Sequence, residues 1–229
     1  MVGHRRYTSA EPERAVLSVM VVGASVTASA FTERLVVDPA TAGAVLMPGF
    51  TRADLASLFA DRGYTSGAEI GVARGRFSEH LCKTIPCLHL LCVDPWRAYR
   101  GNPRSQPQSK QDACYAEATA RLAPFDVTIV RDMSLYAVKD IPDNALDFVF
   151  IDGNHTLDYV IADLRAWSPK VRSGGIVSGD DYYVFRDGGV IEAVETFTRA
   201  QGISSWWVTD ERRRNHRGVR QPAFFWVQP

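Results

Sequence analysis

The segment Asn144–Tyr183, NALDFVFIDGNHTLDYVIADLRAWSPKVRSGGIVSGDDYY, decides how this chain is read. Two apolar runs, Phe148 to Ile151 and Gly175 to Val177, lead into acid at Asp152 and at the pair Asp180 and Asp181, with one helical segment between them. Short apolar runs bounded by turn residues are the pattern of strands buried on both faces. Two such strands deliver carboxylates to one sheet edge. Asp147 precedes the apolar core of the first run and so drops out of that edge.

Outward from this segment the chain alternates. Thr51 can cap a helix whose apolar positions Leu55, Leu58 and Phe59 recur at helical spacing, with Gly63 placed to end it. Ala68 to Gly75 (AEIGVARG) is a short strand entering a glycine turn, followed by a helix from about Phe77 to Thr84. Leu88 to Val93 reads as a second strand ending at Asp94, and Asp126 to Val130 as a third. Asp147 to Ile151 is the fourth, Thr156 to Val171 its helix, and Gly175 to Ser178 the fifth. A helix from about Val190 to Ala200 leads to two β-rich runs, Ser205 to Val208 and Ala223 to Val227, read as an antiparallel hairpin. The expected fold is α/β: a doubly wound, Rossmann-like sheet of seven strands, mostly parallel, with a C-terminal antiparallel hairpin and helices on both faces. Trp206, Trp207 and Trp226 are expected in the core or an interface.

Two parts depart from the repeat. Ala98 to Lys110 (AYRGNPRSQPQSK) is read as a long polar loop, either a functional lid or surface filler. The hairpin linker, Asp210 to Gln221, holds Arg212, Arg213, Arg214, Arg217 and Arg220: a solvated turn, or a contact to an anionic substrate or partner subunit. Residues 51–229 are expected to form one domain and residues 1–50 an extension that packs on it, covers its active site or joins a dimer partner. Ala15 to Ala30, preceded by Arg5 and Arg6, has the outline of a secretory signal. Ser18, Gly23, Ser25, Thr27 and Ser29 dilute it, acids at Glu11 and Glu13 interrupt the basic region, and it is short for a membrane span.

Composition excludes several function classes. Lys plus Arg balance Asp plus Glu at 26 each, so no global field collects nucleic acid or an anionic membrane, and a small-molecule partner is favoured. Cys82, Cys87, Cys92 and Cys114 have no CxxC spacing, and three of them sit where small hydrophobes belong, which favours free thiols in a reducing cytoplasm over zinc or disulfides.

The glycine turn leaving the first strand lets a ligand approach the backbone, and Asp94 at the next strand end lies where nucleotide folds hold ribose hydroxyls. The spacing Glu69-x-Gly71-x-x-x-Gly75 is not GxGxxG, so it suits a cofactor without a pyrophosphate; a purely structural turn is the alternative. Asp152, or one of Asp180 and Asp181, could likewise be a turn or cap residue, and His155 a packed histidine.

Together, Glu69-Ile-Gly-Val-Ala-Arg-Gly75, Cys92-Val-Asp94-Pro-Trp96 and Phe150-Ile-Asp152-Gly-Asn-His155 resemble a class I S-adenosylmethionine-dependent methyltransferase. Ser178-Gly-Asp180-Asp181-Tyr182 narrows the resemblance to metal-dependent small-molecule O-methyltransferases, similar to those acting on catechols and on macrolide sugars. It implies that Glu69, Gly71 and Gly75 line the methionine end of the cofactor. Asp94 would hold the ribose with Trp96 beside it, and Asp132, Met133 and Ser134 would surround the adenine. It implies a divalent metal, magnesium, on Asp152, Asp180 and Asp181, with catalysis by Asp152 through that metal and by His155, which matches the position of a catalytic lysine in the catechol enzymes. Three carboxylates in one cleft repel one another, and a divalent cation removes that cost. His155, with an ordinary pKa of about 6.5, would take the acceptor's proton.

Two positions depart from the catechol pattern: Phe77 replaces a hydroxyl residue, with Ser78 next along, and Asp181 stands where those enzymes carry Asn. The polar stretch Asn102 to Lys110 and the Asp-Asp-Tyr ending lean toward a sugar or glycoside hydroxyl as acceptor, and an Ala-, Arg- and Val-rich composition suits an actinobacterial protein. A nicotinamide-dependent oxidoreductase and a catalytically silent partner protein are the other classes. The missing GxGxxG speaks against the first, and the intact Asp152, His155, Asp180 and Asp181 set against the second.

Overall fold

The computed structural model describes residues 3–7, 17–21, 42–99, 101–102, 106–185, 188–211 and 221–229. The Arg-rich run at Arg212, Arg213, Arg214, Arg217 and Arg220 lies outside them, as does most of the stretch between Ala15 and Leu46.

The strands are β1 Gly3–Tyr7, β2 Leu17–Val21, β3 Gly43–Met47, β4 Ser66–Ile70, β5 His89–Val93, β6 Val127–Val130, β7 Leu146–Ile151, β8 Val171–Gly179, β9 Ser205–Thr209 and β10 Phe224–Val227. The helices are α1 Arg52–Asp61, α2 Arg76–Thr84, α3 Gln108–Leu122, α4 Ser134–Ala137, α5 Leu157–Trp167 and α6 Val190–Ala200. All ten strands form one sheet in the order β1-β2-β3-β9-β10-β8-β7-β4-β5-β6. Its seven-stranded part, β4 to β10, is the expected architecture, parallel through β6, β5, β4, β7 and β8 and closed by the antiparallel pair β9 and β10. β3 adds to β9 in parallel, β2 to β3, and β1 closes the edge antiparallel to β2.

The sheet divides the core in two because successive strand side chains point to opposite faces. In β7, Phe148 and Phe150 join α1, α2 and α3 on one face, while Leu146, Val149 and Ile151 join α4, α5 and α6 on the other. Gly67 has no side chain because the Phe148 ring takes its place: a Cβ there would lie 2.2 Å from that ring. Phe59 of α1 then stacks on Phe148 with ring centroids 4.3 Å apart. Trp206, Trp207 and Trp226 are buried, as expected. All four cysteines are free, although Cys87 is exposed.

One reading needs correction. Gln108, Ser109 and Lys110 are not loop; they open α3, a helix of 15 residues that the sequence reading did not separate from the polar stretch before it. Only Ala118 and Leu122 of α3 are buried, so it carries too few apolar positions to show a helical stripe.

Helix α1 is held against the sheet through the Phe59–Phe148 stack, so Phe148→Ala should destabilise the chain by about 3–5 kcal/mol. Urea denaturation checks this; a loss below about 1 kcal/mol would mean that the Phe59–Phe148 stack is not a centre of the core.

Candidate active site

Strand order reverses between β4 and β7, and in open α/β sheets ligands bind beyond the carboxyl ends of strands at such a point. Four candidate residues occupy the first position after a strand: Gly71 after β4, Asp94 after β5, Asp152 after β7 and Asp180 after β8. Each donates its backbone N–H to the last residue of the neighbouring strand: Gly71 to the Val93 carbonyl at 2.8 Å, Asp94 to Val130 at 3.2 Å, Asp152 to Ile70 at 2.7 Å and Asp180 to Ile151 at 3.0 Å. The sheet ladder therefore fixes the row of acids.

Gly71 has φ +95°, and a Cβ on it would lie 2.0 Å from the Asp152 carbonyl oxygen. Only glycine lets the two loops approach this closely. Gly75, at φ +69°, caps the N-terminus of α2 and packs against Ala118 and Leu122.

The acids among the cofactor candidates around this turn are buried Glu69 and half-buried Asp94. Glu69 points to the α2 face, where the Ser78 hydroxyl donates to its Oε2. Burial pushes the Glu69 carboxyl up from 4.5 to about 8, against the Ser78 hydrogen bond; Asp152 and Asp94 add to the rise and Arg52 opposes it. Burial likewise raises Asp94, although its oxygens accept from the Ala73 N–H at 2.9 Å and the Trp96 N–H at 2.7 Å. Trp96 itself is wholly buried, and its indole donates to the Ala73 carbonyl at 2.7 Å, so it braces the glycine turn from beneath.

Asp132, Met133 and Ser134 follow β6, one strand beyond Asp94. Asp132 accepts the Met133 N–H at 2.7 Å and is exposed. The Ser134 hydroxyl donates to Asp163 at 2.5 Å and accepts from the Trp167 indole at 2.7 Å, so its side chain ties α4 to α5.

The acid group beyond β7 and β8 is organised by two cations. His155 Nδ1 lies 2.6 Å from Asp181 Oδ2, and Nε2 lies 3.2 Å from Asp152 Oδ1. Burial alone would lower the imidazole pKa, but hydrogen bonds to Asp152 and Asp181 outweigh that and hold it up at about 10. Carboxylates on both sides favour the imidazolium, in which both ring nitrogens donate. The second cation was missed in the sequence: Arg52, the first residue of α1, donates from Nη1 to Asp180 Oδ2 and lies 3.8 Å from Asp152 Oδ2. A signal for it existed, because a cation in the first turn of a helix opposes the helix dipole and needs another reason to be there.

These contacts bear on the expected metal. Asp181 has φ +59° and a side chain 2% exposed; one oxygen meets His155 and the other accepts from Gln221 Nε2 at 2.7 Å. Its carboxylate is committed away from Asp152 and Asp180, between which Arg52 sits. Among the described residues no group of three His, Cys, Asp or Glu side chains converges on a point a metal could occupy. The three-carboxylate magnesium set does not fit this arrangement.

A protein-family profile described as "Methyltransferase domain" matches residues 68–182, just over half of the chain. The chain belongs to that methyltransferase family. The matched span runs from the strand before Gly71 to the residue after Asp181, and so takes in the whole row of strand-end acids. The methyltransferase is similar in fold to an O-methyltransferase from Bacillus cereus in complex with SAH, at 15% identity over 76% of this chain and 79% of that one, TM-score 0.56. It is similar to the O-methyltransferase TomG from Streptomyces achromogenes, involved in tomaymycin synthesis and in complex with SAM, at 16% identity over 77% and 79%, TM-score 0.55. The N-methyltransferase NodS from Bradyrhizobium japonicum WM9 is also similar, at 13% identity over 78% and 94%, TM-score 0.52. At these identities the likeness is one of fold, and it spans both oxygen and nitrogen acceptors. No match was found among curated proteins. Among the described residues no helix is long and apolar enough to cross a membrane.

Glu69 generates a pH test of the methyltransferase. Its folded value is raised, so the native state holds a proton that the unfolded chain releases. That contribution is whole below about pH 4.5 and is lost as pH rises through about 8. Thermal melts should show a decline in stability between those values that Glu69→Gln lacks; parallel declines in both proteins would show that Glu69 ionises normally.

Proposed function

We propose that this methyltransferase uses S-adenosylmethionine to methylate a hydroxyl of a small molecule, and that the acceptor is a sugar or glycoside. The observation that carries this reading is the sign of the crevice. Glu69, Asp94 and Asp152 stand at the ends of three adjacent strands close enough for Asp152 and Asp94 to raise Glu69. Such a crevice attracts a ligand bearing a sulfonium and an ammonium and repels a pyrophosphate. This favours a methyl donor over a nicotinamide dinucleotide.

S-adenosylmethionine supplies, when bound, a methyl group already activated for displacement at carbon. The chain's own residues do the rest. The turn from Gly71 to Gly75, braced by Trp96, brings backbone close to the ligand, and the Asp94 carboxylate, held by backbone N–H groups of the turn and of Trp96, is the acceptor for ribose hydroxyls. Glu69, released of its proton, pairs with the ligand's ammonium, and the Ser78 hydroxyl keeps it oriented.

On the acceptor side the proton goes to Asp152. His155 enters as a cation and so cannot take it; its Nε2–H fixes Asp152 Oδ1 and leaves Oδ2 for the acceptor hydroxyl. Asp181 holds the far side of the imidazolium, as an orienting acid does in a catalytic triad. Tyr183 and Phe185, with rings 4.7 Å apart, extend a wall from His155, and Asn154 ties the acid loop to the polar segment through the Gly101 carbonyl at 2.9 Å. An aromatic wall beside polar groups suits the mixed faces of a sugar ring. The magnesium implied by the resemblance would have to enter where Arg52 stands, so no step is assigned to it.

Radiolabelled methyl transfer to a panel of vicinal-diol sugars, glycosides and catechols tests the proposal. A sugar or glycoside is expected to accept, with Asp152→Asn lowering turnover by roughly 10²- to 10⁴-fold. With S-adenosylmethionine saturating, so that Glu69 is already paired, the rate should be level from about pH 7 to about pH 9; were neutral His155 the base, the rate would instead climb toward about 10. Transfer to catechols alone would overturn the acceptor class, and the climbing profile would return the base to His155.

A further inference from the structure

Arg52 has no part in the steps above, yet more contacts converge on it than its place on the surface of α1 explains. Its guanidinium reaches Asp180 and Asp152, residues more than ninety positions away in the chain, and lies 5.1 Å over the Phe77 ring. Phe77 rests on Phe150 of β7 at 4.4 Å, so the cation is seated on the core. Its backbone N–H donates to Glu211, and the residue before it, Thr51, donates its N–H and hydroxyl to Asp54, each at 2.8 Å, which locks the start of α1. The side chain is half-buried, 37% exposed.

What it meets there explains the arrangement. The Asp180 side chain is 4% exposed, and its Oδ1 has no hydrogen-bond partner among the described residues. Asp152 stands on the adjacent strand. Two carboxylates so placed repel each other, and a buried carboxylate with no counter-charge is costly. A guanidinium is always charged and offers several N–H donors in a rigid fork, so it can serve both acids from one position.

We propose that Arg52 is a positioning residue that supplies, from the start of α1, the positive charge holding Asp152 and Asp180 side by side, in place of a divalent cation. Asp152 is thereby held in place toward the acceptor, and the site works without added metal. The activity part of this inference rests on the methyl-transfer reading; the metal-binding part does not.

The experiment measures Mn2+ binding by electron paramagnetic resonance, together with turnover in EDTA and with Mg2+ restored, on the full chain. In the wild type, no Mn2+ is expected to bind, and turnover should change by less than about twofold between chelator and Mg2+. Arg52→Ala empties the position: turnover should fall at least about tenfold in EDTA and recover in part with Mg2+, and Mn2+ should now bind. Arg52→Lys keeps the charge and should recover part of the turnover without binding Mn2+. Circular dichroism checks that the variants fold, and Arg52→Gln replaces the alanine variant if it does not. Wild-type turnover that collapses in EDTA and returns with Mg2+ would overturn the proposal, and so would Mn2+ bound as well by wild type as by Arg52→Ala. So would an alanine variant that folds and gains no Mn2+, because Arg52 would then be a structural ion pair only. If no acceptor is methylated under any condition, the methyl-transfer reading fails and the Mn2+ result still decides the role of Arg52.

Discussion

The contact between Gly71 and the backbone of Asp152 is the constraint on which the rest of the molecule depends. The glycine turn and the acid loop leave neighbouring parallel strands at one height, and the space between them is too small for a Cβ. The glycine turn and the acid loop therefore share one wall. The backbone bonds from Gly71, Asp94, Asp152 and Asp180 to the ends of adjacent strands extend this constraint along the sheet edge. Site residues held by a sheet ladder move less than residues on free loops, which matters for a reaction that relies on alignment.

The second constraint is charge. Glu69, Asp94, Asp152, Asp180 and Asp181 gather on one edge; Glu69, Asp180 and Asp181 are buried, and Asp94 and Asp152 are half-buried. Two resident cations divide the load. His155 pairs with Asp152 and Asp181, and Arg52 with Asp180 and, at 3.8 Å, with Asp152, which leaves Asp152 between both; burial and Asp152 still hold the Asp180 carboxyl well above its ordinary value against Arg52. Among the described residues no cation pairs directly with Glu69 or Asp94; burial raises the Glu69 carboxyl to about 8 although Arg52 opposes the rise. That unbalanced half of the crevice is where a cationic ligand gains most.

Much of this was legible in the sequence because it is local. The strand-end acids follow apolar runs directly, so Asp152, Asp180 and Asp94 could be placed on one edge without knowing how the sheet was ordered. Gly71 announced a close approach through its place after a strand. The illegible parts depend on contacts far apart in sequence. Arg52 meets Asp180 across 128 positions, and nothing near either residue records the pairing except the odd placement of a cation at a helix start. The direction of Asp181 was hidden for the same reason: adjacent acids in sequence look equivalent, and only the left-handed backbone at Asp181 sends its carboxylate to His155 and Gln221. The protonation of His155 followed from those partners, which an ordinary pKa could not reveal. Helix α3 was lost because most of its surface is exposed and polar.

The central claim is that the crevice beyond β4, β5 and β7 takes a cationic cofactor without phosphates. Isothermal titration calorimetry of the full chain with S-adenosylmethionine, and separately with NAD and NADP, tests it most directly. One-to-one binding of S-adenosylmethionine, weakened by Asp94→Asn, with no heat from either dinucleotide is the expected result. Saturable binding of a dinucleotide, with none of S-adenosylmethionine, would contradict it.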